Sequence, residues 1–239
     1  ATDPAVRFIF IKPDGMLNGV AHFEEFRAAL ENFRKSGKAV VSYIENPSNS
    51  SYYLASVSDK VYMTPYEGGI NMFTGLSSQM IFLKDILDRL GVSIQLIRHG
   101  KYKSAGEMFV RSSSSKENLE QNEAMIDSMW DSWAEQIAES RDISVDRLNS
   151  LVNGLKLFTP ADWKANGLVD ELLTREELMQ QLCNLYVTSS YGKVNTISIQ
   201  DYALLNTTVA PNTKSKIAVI YAEGNIVDGS DPEGVAGDR

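Results

Sequence analysis

The amino-acid sequence predicts an α/β fold with mostly parallel strand pairing. Short apolar runs typical of buried strands occur at residues 8–11, 39–44, 60–63 and 93–98. They alternate with segments whose apolar residues recur every three or four positions, as in amphipathic helices. Strands that alternate with helices in this way pair in parallel, and the helices cover the faces of the sheet.

The helices of the first half each have their own signal. After the first strand, apolar residues recur at helical spacing as far as Gly37, which suits a left-handed cap at the end of a helix. A short helix is predicted over 52–57, and an amphipathic helix over 80–90 ends at Gly91. The residues that mark the first of these helices are Val20, Phe23, Phe26, Leu30 and Phe33.

The longest predicted helix covers residues 119–137 and has a bulky apolar face that includes Trp130 and Trp133. Such a face is typical of either a protein core or a subunit interface. Thr159 followed by Pro160 predicts the start of another helix, because threonine caps helices and proline suits their first turn. Three further segments complete the series: helices at 144–152 and 172–186, and an irregular stretch at 197–205.

Composition excludes several classes of function. The chain has 239 residues, is 43% hydrophobic and carries a net charge of −8. This indicates a globular core, and the acidic balance argues against binding to nucleic acid or anionic lipid. The single cysteine, Cys183, allows no intrachain disulfide, and the two histidines, His22 and His99, have no metal-ligand spacing to it. We therefore expect no structural zinc site. The function that we expect from the motifs below implies no other metal and no organic cofactor.

The run from His99 to Ala105 carries the most chemical information. It follows the predicted strand 93–98 and precedes a predicted helix, and it contains Lys101 and Lys103. A lysine at the exit of a strand can be held partly desolvated beside a cleft. There it could act as the general base for a serine nucleophile.

Several motifs together resemble the long, two-repeat form of signal peptide peptidase A, a family also called protease IV. The resemblance covers roughly residues 8–237 and depends on the order and spacing of short motifs that are weak individually. These motifs are Ser51-Tyr52-Tyr53-Leu54-Ala55-Ser56, Gly100-Lys101-Tyr102-Lys103-Ser104-Ala105, Asn166-Gly167-Leu168-Val169-Asp170, Asp201-Tyr202-Ala203, Ile217-Ala218-Val219 and Gly224-Asn225-Ile226-Val227-Asp228-Gly229.

The resemblance implies a crotonase-like or Clp-protease-like spiral of ββα units. It implies a Ser/Lys endopeptidase that degrades cleaved signal peptides, with the lysine base in the first repeat and the serine in the second. It also implies a homo-oligomer, a tetramer in the intact family. That oligomer would be attached to the periplasmic side of the bacterial inner membrane by an anchor absent from this chain.

Applied to this chain, the resemblance divides it into three parts. Residues 1–205 would form the lysine-bearing repeat, 206–215 a linker, and 216–239 the first strand and loop of the serine-bearing repeat. Both ends look cut, so we expect a fragment that lacks the nucleophile and is inactive alone. Two alternatives stay open: another crotonase-like hydrolase or acyl-CoA enzyme, and a non-catalytic scaffold or oligomerisation module.

The resemblance assigns the base role to Lys103, with Lys101 as the near alternative. A free lysine is protonated at neutral pH, so a lysine base needs its pKa lowered towards ~7–8 by burial. In the intact family the second repeat supplies part of that burial, so in this chain alone we expect Lys103 to be exposed.

The remaining candidates are expected to play lesser roles. Ser50 lies where the second repeat would carry its nucleophile, but no glycine follows it, so we expect a degenerate site. Glu107 would raise the pKa of Lys103 if the two paired, and we expect it to point elsewhere. Ser104 could help to position the base or simply cap a helix, and His99 is expected to be partly buried.

Overall fold

The computed structural model describes residues 1–14, 19–69 and 71–206. Within these ranges, four strands form one parallel sheet in the order β1-β2-β3-β4. The strands are β1 (Phe8–Ile11), β2 (Ala39–Ile44), β3 (Lys60–Met63) and β4 (Glu171–Leu172). The predicted α/β class with parallel pairing is confirmed, whereas the spiral of ββα units stays a prediction.

Nine α-helices and one short 3₁₀ helix (Tyr191–Lys193) are present in the same described ranges, and most of the α-helices match the predicted segments. Their bounds are α1 (Val20–Arg34), α2 (Asn49–Ala55), α3 (Lys84–Arg89), α4 (Glu107–Val110), α5 (Lys116–Arg141), α6 (Val145–Asn153), α7 (Pro160–Ala165), α8 (Arg175–Tyr186) and α9 (Ile199–Asn206). As predicted, Thr159 caps α7 by accepting a hydrogen bond from the Asp162 amide at 3.3 Å, and Pro160 lies in the first turn.

Three predicted segments differ from the structure. Helix α2 begins at Asn49 rather than at Tyr52, because Ser48 and Ser51 form a reciprocal capping box. The irregular stretch predicted at 197–205 contains α9, whose first turn is closed where Ser198 Oγ accepts from the Asp201 amide at 3.0 Å. Helix α3 is shorter than the predicted segment 80–90.

The predicted strand at residues 93–98 is wrong for the part of the chain that the structure describes. Its residues belong to no ladder there, and β4 takes the place beside β3. A segment with strand propensity becomes a strand only where a partner supplies backbone hydrogen bonds. The run is therefore exposed, with Ile97 88% accessible to solvent.

Helices cover both faces of the sheet and bury two apolar layers. One face packs Ile44 and Met63 against a core that includes Trp133 and Trp163. The other face packs Tyr43 against α8. The buried residues of this second layer are Val41, Tyr43, Tyr62, Leu178 and Leu182.

A buried arginine joins α1 to α2 and α5. The Arg27 side chain is 1% exposed and donates to Ser56 Oγ at 2.8 Å, to the Gln136 carbonyl at 2.9 Å and to Ser140 Oγ at 2.6 Å. It also donates to the Tyr53 carbonyl. These bonds compensate for part of the cost of burying the charge.

The chain divides into two compact units, of which the first is Ala1–Val194 and the second begins at Asn195. The predicted linker at 206–215 and the strand and loop predicted at 216–239 lie almost entirely outside the described residues. The division into 1–205, 206–215 and 216–239 therefore stays a prediction.

Candidate active site

The lysine motif forms a turn between the extended run 92–98 and α4. Gly100 has a φ of +96°, a left-handed conformation that glycine adopts without strain. The Lys103 amide donates to the Gly100 carbonyl at 3.3 Å, which closes the turn. The Lys103 side chain is exposed, as expected for this chain alone.

An ion pair between the partly exposed Arg98 and the buried Glu107 holds this turn in place. Arg98 Nη1 donates to the Lys103 carbonyl at 3.0 Å and to Glu107 Oε1 at 2.9 Å. The Glu107 side chain is 1% exposed. Its other oxygen, Oε2, accepts from the Ser115 amide at 3.0 Å and from Asn118 Nδ2 at 3.3 Å. The backbone of Lys103 is thereby connected through two side chains to the first turn of α5.

The Glu107 carboxylate is stabilised in its ionised form. Burial alone raises the pKa of Glu107. The hydrogen bonds from Ser115 and the charge of Arg98 outweigh that effect and lower the pKa from 4.5 to about 2. Glu107 is therefore charged at neutral pH and, as predicted, does not pair with Lys103.

The other candidates around the turn have different surroundings. Lys101 Nζ lies 4.8 Å from the centre of the Tyr102 ring, and its contact with Tyr102 raises the pKa of Lys101, which opposes a base role. Ser104 does not cap α4, whose N-cap residue is Gly106. His99 is exposed rather than partly buried, because the turn places it at the surface.

Ser50 lies in the first turn of α2, which is closed by its own neighbours. The Ser51 amide donates to Ser48 Oγ at 3.1 Å, and the Ser48 amide donates to Ser51 Oγ at 2.7 Å. Ser50 Oγ lies 3.3 Å from Ser48 Oγ, and no base contacts it among the described side chains. This arrangement suits the degenerate site that the sequence predicts.

A cleft of about 340 Å³ opens beyond the carboxyl ends of β2 and β3. Ligands commonly bind at this edge of an open parallel sheet. Its walls combine apolar side chains with a few polar groups, among them Met63, Phe73, Leu157, Trp163, Glu45 and Asn71. Neither Lys103 nor Ser50 lines this cleft.

The described residues do not assemble a complete catalytic dyad. No hydrogen bond connects the Lys103 side chain to a serine in residues 1–14, 19–69 or 71–206. In these same ranges, no three histidine, cysteine, aspartate or glutamate side chains converge to ligate a metal ion. None of the helices in the described ranges has both the length and the apolar character needed to cross a membrane.

Sequence reasoning missed Arg98, Ser115 and Asn118. The residues of the Arg98–Glu107 pair are nine apart in the sequence, and no helical or strand periodicity brings such residues together. From spacing alone, the nearest cations to Glu107 are Lys103 and Arg111, each four residues away. The left-handed turn at Gly100 lies between the two partners of the pair.

Comparison with known proteins gives the family. The model of peptidase family S49 matches residues 32–187. A protein named Protease 4 from Haemophilus influenzae is 34% identical over 88% of this chain, and Protease 4 from Salmonella typhi is 32% identical over 88%. An Arabidopsis thaliana protein named Serine protease SPPA, chloroplastic, is 26% identical over 95% of the chain.

This chain spans about a third of the length of these relatives, namely 35%, 35% and 33%. The predicted resemblance to signal peptide peptidase A is confirmed by these matches. Because the family model covers more than half of its residues, the chain belongs to peptidase family S49.

Proposed function

We propose that the chain supplies Lys103 as the general base of a serine endopeptidase with a Ser/Lys dyad. The observation that carries this proposal is the Arg98 contact. Arg98 Nη1 fixes the Lys103 carbonyl at 3.0 Å while the Lys103 side chain stays free to meet a partner. A fixed backbone with an open side chain is suited to a site that a second element completes.

In the proposed reaction, a serine hydroxyl attacks the carbonyl carbon of the scissile peptide while Lys103 accepts the hydroxyl proton. Backbone N–H groups stabilise the oxyanion of the tetrahedral intermediate. The protonated Lys103 then donates its proton to the leaving amine, which yields an acyl-enzyme. Water, deprotonated by Lys103, hydrolyses that ester and restores the serine.

The nucleophile in this proposal is a serine beyond the 239 residues, and not Ser50. No base contacts Ser50 among the described side chains. The first turn of α2 is already closed by the hydrogen bonds between Ser48 and Ser51. The proposed substrates are cleaved signal peptides. The proposed protein is a crotonase-like homo-oligomer on the periplasmic side of the bacterial inner membrane, attached by an anchor outside this chain.

The test compares Lys103→Ala with the matched control Lys101→Ala in the full-length gene product. Hydrolysis of a fluorogenic signal-peptide substrate should fall at least about 100-fold in Lys103→Ala, the scale of a lost general base. Lys101→Ala should change the rate less than about threefold, because the Lys101 ammonium lies over the exposed Tyr102 ring at the surface. Both variants should keep the melting temperature of the parent.

A non-catalytic scaffold or oligomerisation module is the second candidate. It is favoured by the exposure of Lys103 and by the absence of a partnering serine among the described residues. Under this alternative, Lys103→Ala would leave every activity of the full-length product unchanged, so the same pair of variants distinguishes the two functions.

A further inference from the structure

A carboxylate close to a lysine raises the pKa of that lysine and so opposes its use as a general base. An ion pair between the two favours the protonated lysine. Lys103 lies in the turn before α4, and Glu107 is the first residue of that helix. One atom, Arg98 Nη1, contacts both the Lys103 carbonyl and Glu107 Oε1, so the carboxylate lies near the Lys103 backbone. A base at Lys103 therefore requires that the Glu107 carboxylate be committed to another partner.

The structure shows that partner. Arg98 Nη1 lies 2.9 Å from Glu107 Oε1, and Ser115 and Asn118 occupy Oε2 at 3.0 and 3.3 Å. The Glu107 carboxylate thus accepts three hydrogen bonds, one of them from a cation. The same Nη1 atom also donates to the Lys103 carbonyl, at 3.0 Å.

We propose that Arg98 and Glu107 are positioning residues for Lys103: Arg98 holds the Lys103 backbone and at the same time keeps the Glu107 carboxylate from pairing with the Lys103 ammonium. This inference rests on the proposed function, since it concerns the use of Lys103 as a base. Neither residue takes part in bond making, and both act through Lys103.

Other charged groups surround the turn and define what the experiment must control. Within the turn lie His99 and Lys101, which are both exposed. Glu117 and Glu120 of α5 face the turn and act on Lys101, and Tyr102 donates to Glu120 at 3.3 Å. From α3, Asp85 is engaged by the Ser112 hydroxyl at 2.7 Å. None of these groups changes in the variants below.

Removing Arg98 would have two separable effects on Lys103. It would take away a neighbouring positive charge, and it would free the Glu107 carboxylate to pair with the ammonium. Both effects favour the protonated lysine, but only the second needs Glu107. A double-mutant cycle between Arg98→Met and Glu107→Gln isolates the second effect.

The first experiment titrates Lys103 in the 239-residue chain by NMR after ¹³C reductive methylation, with Lys103→Arg to assign the signal. Arg98→Met should move the midpoint for Lys103 to higher pH. In the Glu107→Gln background the same change should produce a shift that is smaller by about 0.3 pH unit, the scale of an exposed ion pair. Equal shifts in the two backgrounds would overturn the inference.

Folding must be checked separately, because Arg98→Met leaves a buried carboxylate without its cation. Far-UV circular dichroism and the melting temperature of each variant provide that check. The Arg98→Met/Glu107→Gln double variant removes the unpaired charge. If Arg98→Met does not fold, kcat of the double variant is compared with kcat of Glu107→Gln in the full-length gene product. Equal values would overturn the inference, because Arg98 should still hold the Lys103 carbonyl when residue 107 is neutral.

The second experiment measures kcat and KM of the full-length gene product. Arg98→Met should lower kcat about tenfold or more with little change in KM, because a displaced base slows chemistry and not binding. The pH dependence of kcat should move to higher pH in the same variant. A raised KM with unchanged kcat would assign Arg98 to substrate binding and overturn the positioning role.

The two experiments fail independently of the proposed function. If Lys103→Ala keeps full activity, the peptidase proposal falls, and the titration cycle still reports whether Arg98 shields Lys103 from Glu107. If Lys103→Ala is inactive while the titration cycle shows no coupling, the base role stands and only the positioning inference is lost.

Discussion

Trp133 of α5 stacks on Tyr53 of α2, with ring centres 4.5 Å apart and ring planes 10° from parallel. Trp133 is 3% exposed, and Ile137 one turn further along is fully buried. The apolar face predicted on the long helix is therefore core at its carboxyl-terminal end. Towards its amino-terminal end, Leu119 and Met125 remain 44% and 53% exposed.

This packing predicts that Trp133→Ala strongly destabilises the chain. Truncating a buried tryptophan removes apolar contacts and leaves a cavity, which costs about 3–5 kcal/mol. Urea unfolding followed by circular dichroism measures the free energy of unfolding. Met125→Ala on the same helix is the control and should change that energy by less than about 0.5 kcal/mol. Equal losses in the two variants would show that the face is not core.

A second prediction concerns the buried arginine. Arg27→Met removes four hydrogen bonds that a buried cation donates to the Tyr53 and Gln136 carbonyls and to the Ser56 and Ser140 hydroxyls, so the free energy of unfolding should fall by about 3 kcal/mol or more. Arg34→Met is the matched control on the same helix. It removes an ion pair to Asp59 at 2.7 Å whose side chains are both 37% exposed, worth less than about 1 kcal/mol. A similar cost for both variants would contradict this account.

A third prediction follows from the lowered pKa of Glu107. Its pKa is about 2 in the folded chain against 4.5 for the free side chain, so the folded state binds its proton less readily. The stabilisation by Glu107 is therefore present above about pH 5 and is lost as the pH falls towards 2. Glu107→Gln should be less stable than the parent at pH 7, and the difference should shrink through that range.

The control for the pH experiment is Glu123→Gln, which alters an exposed carboxylate on α5. Its free energy of unfolding should follow that of the parent at every pH. A stability difference between Glu107→Gln and the parent that stays constant from pH 7 to 2.5 would show that Glu107 contributes nothing through its charge.

A fourth prediction is that the 239-residue chain alone hydrolyses no peptide. Under the proposed function the nucleophile lies outside these residues, and a general base without a nucleophile cannot carry out acyl transfer. Purified chain should give only background turnover of fluorogenic peptides, and a serine-directed phosphonate should leave it unmodified by mass spectrometry. Phosphonate attached to Ser50 would assign catalysis to Ser50 and contradict the degenerate site.

Local patterns in the sequence were enough to predict most of the fold. Apolar runs located β1, β2 and β3, helical spacing located α1 and α5, and Thr159-Pro160 located the start of α7. These features depend on interactions between residues close in the chain, which a sequence displays directly. The lysine motif was equally visible, because the resemblance depends on short, contiguous residues.

Two predictions that differ from the structure concern the first turns of helices. The serines at 48 and 51 start α2 earlier than its apolar residues suggest, and Ser198 with Asp201 starts α9 where the sequence looked irregular. Both are capping patterns, readable in principle from residues three apart. They were missed because hydrophobic periodicity says little about the polar first turn of a helix.

Only the tertiary structure shows that residues 93–98 join no sheet among the described residues, and only the tertiary structure shows which groups surround Lys103. Strand propensity could not show that this run has no ladder partner among the described residues, since a partner strand is distant in the chain. Sequence spacing alone suggests Lys103 or Arg111 as the cation that pairs with Glu107. In the structure Glu107 pairs with Arg98, and the left-handed turn at Gly100 lies between these two residues. Contacts of this kind depend on how the chain bends back on itself, so the amino-acid sequence specifies them only through the whole fold.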